Sequence, residues 1–417
     1  MANNNKHTGP NVPALRFPEF SGEWEQYQVS DFLEFYPTNS LSWDQLEYDN
    51  GECLNLHYGL IHNGLPVQVD LLKDSLPSIK ADFFPKKYTI CQDGDIAFAD
   101  ASEDTNDVGK AIEFYNCAGK DVVCGLHTIH GRDKLGVTVP GFKGYLFSSK
   151  VFHDQIKTIA QGTKVFSIKA SNFDEVFLGI PCKEEQTKIS NLLRAIDERI
   201  STQSKIIEEL KTLRGALRQR LLYHSSAITQ PVSSFAELKN GYAFKSNTYS
   251  ETGDYEILTI SNVVGERNIK TEGCNKIQSI PSDLQSHQIL HVGDILISMT
   301  GNVGRVSMCT KGNYLLNQRV GLLEIKKEYI EFTEFIFQCL RDISFTNAMK
   351  DKGQGAAQQN IGKGDIESYE IPWFDDERYL ESVSRILFIL DNAVIIEEEK
   401  KAKFTMQKKW FLAKLFI

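Results

Sequence analysis

The stretch KEEQTKISNLLRAIDERISTQSKIIEELKTLRGALRQRLL (Lys183–Leu222) runs 40 residues with one glycine and no proline. That is enough for a helix of about 60 Å at the α-helical rise. Its apolar residues fall on a heptad. Ile189, Ile196, Leu210 and Leu217 form one column and Leu193, Ile200, Ile207 and Leu221 the other, with Gln203 and Arg214 interrupting the seam. Eight apolar positions in ten is stricter than a helix lying on a globular core needs, and it predicts a helical partner.

A second seam lies near the C-terminus. There Leu380, Leu387, Val394 and Leu415 alternate with Val383, Leu390, Phe404 and Phe411, while Glu397, Lys401 and Lys408 stand where apolar residues belong. The run EEEKKAK (Glu397–Lys403) predicts a register shift or a solvated stretch before Phe404, Trp410 and Phe411 restore apolar contact. Two helices, each too apolar on one face to stand alone, most economically pack on each other, and the expected arrangement is antiparallel.

These helices divide the chain into an N-terminal extension (1–22), a first domain (23–182), a central helix (183–224), a second domain (225–373) and a C-terminal helix (374–417). Both domains carry short β-branched and aromatic runs broken by Gly-Asp and Asn-Gly turns. They also resemble each other. TICQDGDIAFADAS (Thr89–Ser102) parallels ILHVGDILISMTG (Ile289–Gly301), VSDF (Val29–Phe32) recurs as VSSF (Val232–Phe235), and FDEVFLGIP (Phe173–Pro181) recurs as GDIESYEIP (Gly364–Pro372). Separations of 199, 203 and 191 residues are far longer than a solenoid repeat and indicate a tandem duplication of domain plus helix. The expected fold is α+β: two α/β domains in tandem, each followed by a long helix, with the helices forming an antiparallel coiled coil of pseudo-twofold symmetry. Such a chain suits a ligand with two separated and unequal half-sites.

Composition narrows the function. The 417 residues, 41% hydrophobic, are enough for more than one core. No apolar run approaches a membrane span and the first residues carry no leader pattern, so a cytoplasmic location is expected. None of the eight cysteines lies in a C-x-x-C pair, and they read as buried free thiols. The net charge of −9 is concentrated in residues 23–182, which sum to −10. If DNA is the ligand, partner chains are expected to supply much of the phosphate attraction.

The chain resembles the specificity (S) subunits of type I restriction-modification systems. PALRFPEFSGEWEQYQVSDF (Pro13–Phe32), DGDIAFADASEDTNDVGKAIEF (Asp93–Phe114) and GLHTIHGR (Gly125–Arg132) are similar to that family's first half. GDILISMTGNVGRV (Gly293–Val306) and QNIGKGDIESYEIP (Gln359–Pro372) are similar to its second, with a departure at Ala356 and Ala357. The resemblance implies two target-recognition domains reading a bipartite, asymmetric sequence in double-stranded DNA, with the helices setting the spacer. It implies as partners two modification (methyltransferase) subunits and ATP-dependent restriction subunits. S-adenosylmethionine, ATP and Mg would belong to those partners, and no cofactor to this chain.

Base readout favours Arg, Lys, Asn and Gln, with Ser and Thr at phosphates. In the first domain the loops around the Gly-Asp strand offer Asn106, Lys110, His127, Thr128, His130, Arg132, Lys134, Gln161 and Lys164. In the second they offer Thr300, Asn302, Arg305, Asn317, Gln318, Arg319, Gln354, Gln358, Gln359, Asn360 and Lys363. Catalytic signatures are missing: there is no phosphate-binding G-x-x-x-x-G-K-[ST] loop and no Pro-Pro pair of an amino-methyltransferase. A nuclease would have to use Asp294 with Glu324 and Lys326, but Gly293-Asp294 repeats Gly94-Asp95, which makes the aspartate a turn residue. His127 with His130, or His287 with His291, lack acidic or cysteine partners at ligand spacing, so no catalytic or metal residue is expected. A self-sufficient nuclease or methyltransferase, or a protein-binding scaffold, are the competing readings.

Overall fold

A computed structural model describes residues 11–48, 51–353 and 359–417. The chain forms two compact units, Met1–Thr202 with Lys400–Ile417, and Gln203–Glu399, so each unit holds one mixed domain and part of both long helices. None of the described helices is long and apolar enough to cross a membrane.

In the first unit, strands Glu25–Gln28 and Phe177–Ile180 pair antiparallel and bring the two ends of the domain together. A five-stranded sheet follows the order Leu33–Tyr36, Thr128–Asp133, Ile96–Ala99, Ala111–Tyr115, Gln68–Asp70. A second sheet contains the parallel pair Asp121–Cys124 and Cys53–Leu56. The core is aromatic. Phe98 meets Phe147 edge-on at 4.8 Å between centroids and lies 4.7 Å from Phe173, and all three are fully buried.

The second unit repeats this plan with fewer strands. Ile228–Pro231 pairs antiparallel with Glu370–Trp373, Ala236–Asn240 pairs with Val320–Ile325, and Val320–Ile325 pairs with Ile295–Ser298. The parallel pair is Tyr255–Leu258 with Leu315–Leu316. Main-chain bonds match as well: Val29 N to Val176 O (2.9 Å) in one unit is Val232 N to Tyr369 O (2.9 Å) in the other. The Gly-Asp turns are also alike. Gly94 and Gly293 have φ of 84° and 93°, which suit glycine, and each aspartate accepts a bond from a nearby main-chain N–H. These are Gln92 N to Asp95 (2.9 Å) and His291 N to Asp294 (2.7 Å).

One sequence alignment is corrected. Glu25 faces Ile180 and Ile228 faces Trp373, so Ile180 corresponds to Trp373 and not to Ile371, as matching Pro181 with Pro372 would have it. A slip of two residues keeps every side chain on its face, so the hydrophobic pattern is blind to it.

The long helices span Lys183–Leu222 and Glu377–Lys414 and run antiparallel within each unit. In the first, Lys408 pairs with Asp197 at 2.6 Å and Arg199 lies over Phe404. In the second, Tyr379 donates to the carbonyl of Leu221 and Gln203 bonds Glu397. Ile189, Leu193, Ile196 and Ile207 are buried, as are Leu380, Val383, Leu387 and Val394. Ile200, Leu210, Leu217, Leu221, Leu390, Phe404 and Phe411 are half-buried, and Leu415 is buried just beyond the helix end. Gln203 and Arg214, which read as interruptions, are polar layers of the seam. Arg214 reaches Asp391 at 2.8 Å, and Asp391 also receives Arg341 (2.6 Å) and Gln338 (2.7 Å), with Arg267 at 3.4 Å. Burial alone would raise the Asp391 pKa, but Arg341, Gln338 and Arg214 hold it below the usual carboxylate value.

Candidate nucleic-acid interface

Three segments of each unit meet at the end of the Gly-Asp strand, tied by the same main-chain bonds. In the first unit Asp100 N bonds His127 O (3.1 Å) and Ile168 N bonds Asp100 O (2.8 Å). In the second, Met299 N bonds Arg319 O (3.0 Å) and Ile361 N bonds Met299 O (3.0 Å). His127 and Arg319 therefore occupy equivalent places. So do Lys110 and Arg305, whose carbonyls accept from Ala99 N and Ser298 N, both at 2.9 Å. Strand pairing of Ser167 with Ala101 is matched by the bridge between Asn360 and Thr300.

Most of the sequence candidates sit on these segments. Asn106, His127, Gln161, Lys164, Asn302, Gln318, Arg319 and Asn360 are exposed, and Lys110, Arg305, Asn317 and Gln359 are half-buried. Lys110, Lys164, Arg305 and Arg319 form no ion pair among the described residues, which leaves four cations free for an anionic ligand. His127 adopts φ 55°, uncommon for a residue with a side chain, and is held by Asp100 (Nδ1 to Oδ1, 3.1 Å).

Other candidates are corrected. Thr128 is buried and donates to the Gly125 carbonyl at 2.6 Å, and buried Thr300 donates to Asn360 at 2.7 Å. His130 is buried against Asp95 (2.8 Å), and Arg132 is committed to the same carboxylate at 2.7 and 2.8 Å. Lys134 donates to the Ser30 carbonyl, and Lys363 pairs with Glu237 at 2.8 Å. Thr128, Thr300, His130 and Arg132 spend their hydrogen bonds inside the domain, whereas Lys134 remains exposed. Gln354 and Gln358 lie outside the described residues.

Sequence reading missed two neighbours of the interface. Tyr242 carries the carbonyl that accepts from Gln318 N at 2.9 Å, and the exposed run Lys245–Thr248 follows it. Tyr58 packs edge-on against His127 at 5.1 Å and against His62 at 5.9 Å. Aromatic and polar residues interleave in GYAFKSNTY (Gly241–Tyr249) and HYGLIH (His57–His62), and that pattern was the available signal.

The nuclease candidates do not form a site. Asp294 caps its turn, Glu324 is exposed 3.5 Å from Lys239, and the Lys326 ammonium donates to the carbonyls of Ser233 and Ser234. His287 lies 3.1 Å from the Asn240 carbonyl, and His291 lies 3.9 Å from Asp294.

Two domains with the same loop-bearing scaffold, each tied to a long helix of an antiparallel pair, define a tandem target-recognition chain. The model of the type I restriction modification DNA specificity domain matches residues 229–405. The chain is 23% identical to the putative type I restriction enzyme MjaX specificity subunit of Methanocaldococcus jannaschii, over 96% of this chain and 94% of that one. It is 24% identical to the MjaVIII specificity subunit of the same organism, over 64% of this chain and 67% of that one. The solved S subunit of a type I restriction-modification system from M. genitalium superposes with a TM-score of 0.58 at 17% identity, covering 97% of this chain and 99% of that one. Residues 229–405 thus carry the signature of a type I restriction modification DNA specificity domain, and the chain is similar over nearly its whole length to type I specificity subunits.

Proposed function

We propose that this chain reads a bipartite, asymmetric DNA sequence, one half per domain, and positions methyltransferase and restriction subunits on it. The observation that carries the reading is the pair of loop clusters held by equivalent main-chain bonds, Asp100 with His127 and Ile168, and Met299 with Arg319 and Ile361. One scaffold presents different side chains in its two copies, as two unequal half-sites require. The helices that join the domains in sequence set the unspecified spacer. Two modification subunits dock on the chain and carry S-adenosylmethionine, restriction subunits carry ATP and Mg, and this chain contributes no reacting group.

Arg319→Ala tests the reading. Arg319 is exposed and forms no ion pair among the described residues, so the variant is expected to fold. In complex with the modification subunit it relaxes base preference in one half-site, by about 1–3 kcal/mol of discrimination, and leaves the other intact. Methylation profiling that shows both halves unchanged, or cleavage or methylation by the purified chain alone, overturns it.

A further inference from the structure

The first unit contains a buried cluster that base recognition does not use. Cys91, at the entry to the Gly-Asp turn, Cys124, at the end of strand Asp121–Cys124, and His130, in strand Thr128–Asp133, are 2%, 3% and 1% exposed. Their ligating atoms all lie within 4.8 Å of one another. The expectation that His130 lacks cysteine partners is thus overturned, because the partners arrive from distant strands. Spacing along the chain cannot show them.

The polar details are those of a cation site. The two sulfurs are 3.6 Å apart. Two thiolates about 2.3 Å from one tetrahedral cation lie about 3.8 Å apart. His130 Nε2 lies 2.8 Å from Asp95, and Asp95 is in turn held by Arg132. A metal-bound histidine commonly has such a carboxylate behind it. The other ring nitrogen, Nδ1, is buried facing the Cys91 thiol and has no other hydrogen-bond partner among the described residues.

The second unit supplies an internal control. The same main-chain bonds and strand registers place Leu290, Leu316 and Leu322 at the positions of Cys91, Cys124 and His130. All three leucines are buried. The fold therefore asks only for apolar packing there, and the Cys, Cys, His set is a departure peculiar to the first unit.

We propose that Cys91, Cys124 and His130 bind a thiophilic divalent cation of the Zn²⁺ class. Three protein ligands leave one position for water. Two S–H bonds break and two thiolate–metal bonds form, Nδ1 gives its lone pair, and the protons leave to solvent without any transfer of electrons. A dication with two thiolates is neutral, so the buried site gains no net charge, and Asp95 stays balanced by Arg132. The cation would pin the strands on either side of the turn that carries His127. The site does not depend on the DNA reading.

The test is uptake of Co²⁺ and Zn²⁺ by the reduced, chelator-treated full chain. One equivalent of Co²⁺ is expected, with the visible absorption of a thiolate-bound tetrahedral ion, and Zn²⁺ is expected to displace it and raise the thermal midpoint. Cys91→Ser and Cys124→Ser should lose the signal, and Cys182→Ser should keep it. The triple variant Cys91→Leu, Cys124→Leu, His130→Leu installs the residues of the second unit, and should fold while binding none. A wild-type chain that takes up no Co²⁺ and gains no thermal stability from Zn²⁺ overturns the proposal, as does a folded triple variant that still binds one equivalent.

Discussion

Asp391 shows how much one side chain can organise. Its carboxylate lies between Arg214, Arg341 and Arg267, and Gln338 relays the network to Arg218 at 2.7 Å. Arg218 is pushed down to about 10 by burial and by neighbouring Arg341 and Arg214, so positive charge is already crowded there. Asp391→Asn leaves these guanidiniums without their central counter-charge and should cost about 3–5 kcal/mol, measurable by denaturant unfolding. Because the folded-state pKa lies below the ordinary aspartate value of 3.8, the stabilisation is fully present above about pH 4. It is lost as pH falls through the lowered value. A wild-type acid transition that persists unshifted in Asp391→Asn would contradict this assignment. None of it was legible in the sequence, where Arg214 reads as a fault in a heptad, because its partner lies 177 positions away.

At the scale of elements, the heptad predicted both long helices, and the first begins and ends at Lys183 and Leu222 as read. A strict period over many turns leaves few alternatives. Which seam residues carry the packing was less visible. Leu387 is fully buried, whereas Ile389, two residues on, is 55% exposed. Leu387→Ala should cost about 2–5 kcal/mol and Ile389→Ala less than about 0.5, a contrast that thermal unfolding of the two variants will measure. The loop clusters were half legible. Residue type and position after the Gly-Asp strand pointed to Asn302, Arg319 and His127, but types alone could not separate them from Thr128, Thr300 and His130. What separates these groups is burial, set by strand register.

For the whole molecule, the net charge of −9 sets the terms of DNA binding. Among the described residues few unpaired cations line the two loop clusters, so the isolated chain should bind DNA weakly, with a shallow dependence on salt. Its complex with modification subunits should bind tightly with a steep one, and titrations at several salt concentrations will compare them. Tight, steeply salt-dependent binding by the chain alone would contradict this. The ties that hold the loops carry a consequence for inheritance. They join main chain to main chain, through Asp100 and Met299, and so do not depend on the side chains the loops display. Mutation can rewrite much of what the loops present while these main-chain ties remain. A lineage can then change the word it reads while keeping the page on which it is written.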